Sequence, residues 1–175
     1  VPGLWLNEGG QSAAGAAMER LLALHPAAAR VAAEAQAAGR SLPGLLGERA
    51  ANRAGDLSSV IKLAKGLHVV PDFLGNRAPH ADPETRAVIS GLGMDNGEDT
   101  LVALYVAGLS GICYGLRQIV AAQRAAGIDT SRIVISGGAG RSDLVRQLLA
   151  DGTGLDVVAP ETDEPVLLGA SILGA

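Results

Sequence analysis

Aromatic side chains make up only 2% of these 175 residues: one Trp, two Tyr and one Phe. A core of stacked rings is excluded, so Ala, Leu, Val and Ile must fill the interior. Cysteine is nearly absent too. Cys113 stands alone, which excludes an internal disulfide, and no Cys/His cluster has the spacing of a zinc site. A reducing, cytoplasmic setting suits such a chain. There is no long basic run and the net charge is −4, so nucleic acid and anionic membranes are excluded as expected partners. The first residues lack a basic region followed by an apolar stretch, so no secretory signal is expected. Long apolar runs are missing as well. The longest uncharged one, residues 101–116, falls short of the ~20 residues of a membrane span and is interrupted by Gly108, Gly111 and Gly115. It reads as a buried helix.

What is present is a globular balance, with 48% hydrophobic and 18% charged residues. The length suits one domain, or one lobe of a larger protein. Residues 4–6 read as a short strand. Gly9-Gly10 turns the chain, and Ser12 is placed to cap a helix running to about residue 24. Pro26 opens an Ala-rich helix ended by Gly39, and a third helix is expected over 45–53. Residues 67–70 form a strand stopped by Pro71, a loop covers 72–83, and 87–90 form another strand. The longest helix spans 97–126. Leu101, Tyr105, Leu109, Ile112, Leu116 and Ile119 line one stripe of it, and Val102, Val106, Cys113 and Val120 a second, so it is packed on two sides. Residues 132–136 are a buried strand, 137–140 a turn, 141–151 an amphipathic helix and 155–158 a returning strand. Thr162 or Asp163 then caps a last helix with Pro165 near its first turn. Strands and helices alternate here, which predicts an α/β fold with parallel strands and a helical insertion in its first half.

Several residues are candidates for chemistry. A strand leading through Gly137-Gly138 into a helix brings backbone N–H groups and a positive helix end to one spot, as at phosphate and nucleotide sites. The spacing is neither a P-loop nor G-x-G-x-x-G. A tight turn needing positive φ explains the two glycines equally well. Gly15 sits inside a predicted helix, where it costs ~1 kcal/mol against Ala. Close packing of a neighbouring helix is the preferred explanation, with ligand approach as the alternative. Arg77 is suited to a phosphate or to solvent. His80 lacks a partner carboxylate, and His25 and His68 read as surface and strand residues. Asp72, Asp82 and Asp95 have no metal-specific spacing. Cys113 reads as core.

Taken in order, four segments form a pattern. They are Glu8-Gly9-Gly10-Gln11-Ser12-Ala13-Ala14-Gly15; residues 67–83, with Pro71-Asp72-Phe73-Leu74-Gly75-Asn76-Arg77-Ala78-Pro79 at their centre; Ser136-Gly137-Gly138-Ala139-Gly140-Arg141-Ser142; and Leu167-Leu168-Gly169-Ala170-Ser171. Together they resemble the C-terminal domain of FGGY carbohydrate kinases, and within them the ribulokinase-like branch. The resemblance covers residues 4–174.

The resemblance implies an actin-like ATPase (ribonuclease H-like) domain across 1–175, incomplete for want of its first strands and of the N-terminal sugar-binding domain. It implies ATP, with Mg²⁺ accompanying it, and a sugar or polyol substrate of pentulose or pentitol type held mainly by the absent domain. Gly15 and Glu19 match positions on a helix lining the nucleotide site. Gly137 and Gly138 match a turn near adenine and ribose, and Ser142 a position often held by an adenine-binding Asn. No catalytic residue is matched, because the family's catalytic aspartate and the turn beside the terminal phosphates fall before residue 1. The chain alone is then inactive. The other reading is a non-catalytic nucleotide-binding or scaffold module. Either reading admits a homo-oligomer, since an exposed sheet edge near residues 4–6 invites pairing.

Overall fold

The structure is a computed structural model, and it describes residue 3, residues 5–162 and residues 164–174. Three helices come first: α1 (Ala14–Ala23), α2 (Ala28–Ala37) and α3 (Leu42–Ala54). A 3-10 segment, Val60–Ala64, leads into β1 (His68–Val70) and β2 (Val88–Ser90). The long α4 (Glu98–Ala125) follows, then β3 (Arg132–Val134), a single helical turn α5 (Gly137–Gly140), α6 (Asp143–Thr153), β4 (Asp156–Val158) and α7 (Pro165–Gly174).

The strands form two separate pairs among the described residues. β1 and β2 are antiparallel, with His68 opposite Ser90 and Val70 opposite Val88. β3 and β4 are parallel, with Arg132 opposite Asp156 and Val134 opposite Val158. The Ile135 amide continues the second ladder by donating to the Val158 carbonyl at 2.9 Å. β3, α6 and β4 are thus the strand–helix–strand unit that the alternating pattern predicted.

α4 is the axis of the core. Leu101, Val102 and Val106 are at most 1% exposed, and α1, α3, α6 and β1 all pack on it. It is long and apolar enough to cross a membrane by length and composition, but its apolar faces are already covered by these neighbours. Small residues, rather than rings, set how close the neighbours come. A Cβ on Gly108 would lie 2.4 Å from Leu21 of α1, and one on Gly111 would lie 2.2 Å from the Val69 carbonyl oxygen of β1. From α6, a Cβ on Gly152 would lie 3.1 Å from Cys113 Cβ. Glu98 and Asp99 sit in the first turn of α4, where the helix dipole favours carboxylates. Glu98 pairs with Arg49 at 2.9 Å and with Arg53 at 2.8 Å, and this ties α3 to the start of α4.

Several expectations need correction. Trp5 and Leu6 form no strand and are 94% and 89% exposed, while Leu4 lies outside the described residues. Ser12 does not cap α1. The chain turns one residue later, at Ala13 with φ 53°, and no side chain caps that end. α2 begins after Ala27 rather than at Pro26. α3 starts earlier than expected, because Ser41 accepts the Gly44 amide and Pro43 occupies the first turn. Residues 137–140 are one turn of helix, and Ser142 is the residue that caps α6. Asp163, the alternative cap for the last helix, lies outside the described residues.

Candidate functional site

The Gly137-Gly138 segment leaves β3 through Ser136, which is still extended at φ −124° and ψ 171°. Gly137 turns the chain with φ +74°, a conformation that a side chain would strain. A Cβ on Gly140 would lie 2.7 Å from the Ile135 carbonyl oxygen, so packing accounts for that glycine. Neither reason applies to Gly138. Its backbone is not in the left-handed region, and an added Cβ would meet nothing within 4 Å.

A cavity of about 160 Å³ opens beside this turn. Ser136, Gly137 and Arg141 line it after β3, and Pro160, Glu161 and Thr162 line it after β4. It therefore sits at the carboxyl ends of two parallel strands, the usual ligand position in an α/β sheet. The volume is below the roughly 300–1,000 Å³ of pockets that enclose a whole ligand, so it suits one end of an extended one. Arg146 braces the turn from α6 by donating to the Gly140 carbonyl and to the Asp143 carboxylate. The Ser142 hydroxyl accepts the Val145 amide at 3.3 Å, so it is engaged in the cap.

The other candidates lie apart from this cavity. Gly15 is in the first turn of α1, and a Cβ there would meet nothing within 4 Å. The helix-packing explanation for it is therefore wrong, and space for a ligand remains. Glu19 is exposed and lines a groove of about 690 Å³ with His25, Leu42 and Pro43. Gly137 and Glu19 thus line different concavities, while Gly15, Gly138 and Ser142 line neither of these.

His25 is buried rather than on the surface. Its Nδ1 accepts the Ala27 amide at 3.2 Å, which leaves Nε2 to donate to Thr100 Oγ1 at 3.1 Å. Burial lowers its pKa, and the charge of Asp95 opposes that in part. Cys113 is buried against α6, and desolvation pushes its thiol up to about 12, so it is no nucleophile at neutral pH. Arg77 is not solvated alone but donates to Glu8 at 2.6 Å.

The three loop aspartates are each occupied locally. Asp72 accepts from Asn76 at 3.1 Å, and Asp95 accepts the Gly97 amide at 2.9 Å. Asp82 accepts the Glu84 amide and the Thr85 hydroxyl, and these bonds hold its carboxyl below the usual range. No group of three His, Cys, Asp or Glu able to hold a metal occurs among the described residues. These donors therefore form no cluster suited to a resident Mg²⁺ among the described residues, and the backbone at Gly138 is open on its outer side. Arg146 and Glu161 escaped the sequence reading, since neither belongs to a motif and only folding brings them to the glycine turn.

Known proteins fit this geometry. The model of the FGGY family of carbohydrate kinases, C-terminal domain, matches residues 1–175. An FGGY carbohydrate kinase domain-containing protein of Danio rerio is 39% identical over 175 residues, covering all of this chain and 32% of that protein. A D-ribulokinase of Saccharomyces cerevisiae is 39% identical over 178 residues, covering 99% of this chain and 25% of that protein. The chain thus spans a third or less of the length of these relatives. Among solved structures, xylulose kinase from Rhodospirillum rubrum superposes with a TM-score of 0.57 at 26% identity, over 87% of this chain and 27% of that one. Plasmodium falciparum glycerol kinase with ADP gives 0.56 at 25% identity, over 70% and 24%. The fold is the α/β actin-like ATPase fold of these sugar kinases. By family model and by relatives alike, the chain belongs to the FGGY family of carbohydrate kinases and carries its C-terminal domain.

Proposed function

We propose that this chain is the nucleotide-holding lobe of an ATP-dependent kinase that phosphorylates a hydroxyl of a pentulose or pentitol. The observation that carries this reading is Gly138: it follows Gly137, which lines the cavity at the carboxyl end of β3, and neither backbone strain nor packing requires glycine at 138. Its role is to leave the backbone open to the base and ribose end of the nucleotide. Gly137 supplies the turn, and Arg146 keeps it in place. Gly15 and Glu19 flank the nucleotide from α1 in this reading. Ser142 serves chiefly as a cap, so its contact with adenine is weaker than an Asn would give.

Phosphoryl transfer needs Mg²⁺ and donors around the γ-phosphate. The chain spans a quarter to a third of the relatives it matches, and in this reading those groups, the catalytic base and most of the sugar site come from the remainder of the kinase. The D-ribulokinase relative supports a pentulose-type substrate, since its match runs across 99% of this chain. A glycerol kinase of Alteromonas mediterranea matches over only 62%. A reducing, cytoplasmic setting completes the reading and suits the single buried thiol.

Titration calorimetry with ADP tests it, on the wild type and on Gly138→Arg. The Arg has room and an ordinary backbone conformation, so the fold should persist with an unchanged melting temperature. ADP affinity should fall at least about tenfold, or ~1.4 kcal/mol. The same 175 residues given ATP and D-ribulose should form no sugar phosphate. Equal ADP binding by both proteins would remove the glycine turn as the site.

A further inference from the structure

A second concavity larger than the one at the glycine turn lies elsewhere on the molecule. A cavity of about 490 Å³ lies between β1, the segment leading into α1, and α4. Its floor is rigid. Gly111 of α4 lies so close to β1 that a Cβ would be 2.2 Å from the Val69 carbonyl oxygen, and one on Gly115 would be 2.0 Å from the Gln11 amide. Gln11 Nε2 in turn donates to the Ile112 carbonyl at 2.8 Å. The aliphatic walls come from Ala64, Leu67, Val69 and Ala107.

Five polar side chains line this space without a side-chain hydrogen bond or ion pair to any of the described residues: Ser12, Lys65, His68, Tyr114 and Gln118. The lining carboxylate, Asp72, is engaged by Asn76, and Arg77 by Glu8. Lys65 is thus the lining cation left without an ion-pair partner among the described residues, while Asp72 keeps its negative charge because Asn76 is neutral. Its size falls in the range of roughly 300–1,000 Å³ that small-molecule sites occupy. Ser, Tyr and Gln side chains each donate and accept, which suits hydroxyl groups, while an ammonium suits a phosphate.

We propose that this cavity binds a sugar or polyol monophosphate, with the phosphate on Lys65 and the hydroxyls on Ser12, Tyr114 and Gln118. The assignment does not rest on the nucleotide site, because no residue is shared between the two cavities. A compound of this class is also what a pentulose kinase releases, so the site can register product.

The test is calorimetric titration of the protein at its natural length with D-ribulose 5-phosphate, D-ribulose and inorganic phosphate, on wild type, Lys65→Glu and Tyr114→Phe. Lys65 is exposed and unpaired among the described residues, and Tyr114 is half-exposed, so both variants should fold. In Lys65→Glu, affinity for D-ribulose 5-phosphate should drop at least about tenfold, with ADP binding unchanged. Tyr114→Phe should weaken the sugar phosphate but not inorganic phosphate. The proposal is overturned if the wild type takes up no sugar phosphate, or if both variants bind it as the wild type does. It is also overturned if inorganic phosphate binds as tightly. Gly138→Arg should leave this binding intact, which separates its outcome from that of the nucleotide reading.

Discussion

His25 is held at both ring nitrogens, by the Ala27 amide and by Thr100 at the start of α4. The arrangement needs a neutral ring, since a protonated Nδ1 would lose its acceptor role toward Ala27. Burial accordingly lowers the pKa below 6.5. The unfolded chain therefore binds this proton at higher pH than the folded one does, so stability rises with pH across the window between the two values. Above pH 6.5 the contribution is complete, and it is lost as pH falls through that window toward the lower folded value. Melting temperatures taken from about pH 7.5 down to about pH 5.5 should fall, and the slope should be shallower in His25→Asn. Identical slopes would show that this ring does not matter. Sequence reading placed His25 on the surface, because its partner Thr100 lies 75 positions away and no local signal announces the contact.

At the scale of elements, two glycines in helices have opposite physical standing. Gly111 of α4 is required by the approach of β1, whereas Gly15 of α1 faces open space. Gly111→Ala should cost about 1–3 kcal/mol, as an overpacked core does. Gly15→Ala should instead stabilise by up to about 1 kcal/mol, through helix propensity alone. Urea unfolding of the two variants checks this, and shifts of the same sign would refute the contrast. If the nucleotide approaches α1, Gly15→Ala should also bind ADP more weakly despite its higher stability. Periodicity located α4 within a residue at each end and both of its apolar stripes. It did not tell which helix glycines carry a packing demand, because that depends on which element crosses at each point.

On the scale of the whole molecule, α7 has no buried residue. Val166, Leu167, Ile172 and Leu173 are 72%, 66%, 66% and 85% exposed. Trp5 and Leu6 add further apolar surface. A helix that exposes several large apolar side chains marks a surface that associates. Sedimentation of these 175 residues should show self-association that grows with concentration, and Leu167→Glu with Ile172→Glu should reduce it. A wild type that stays strictly monomeric at high concentration would argue against α7 as the contact. The expectation of an exposed edge near residues 4–6 thus gives way to a helix face.

Local order was set by the sequence itself: the two-faced α4, the β3–α6–β4 unit and the glycine turn follow from short-range periodicity and backbone freedom, which need no distant partner. Motif order was enough to indicate the family. Tertiary structure alone decided which candidates share a cavity, since Gly137 and Glu19 look out on different concavities. It also decided that Gly138 is free of packing demands while Gly111 is not. These outcomes depend on contacts between residues distant in sequence, and a pattern read along the chain carries no distance between its turns.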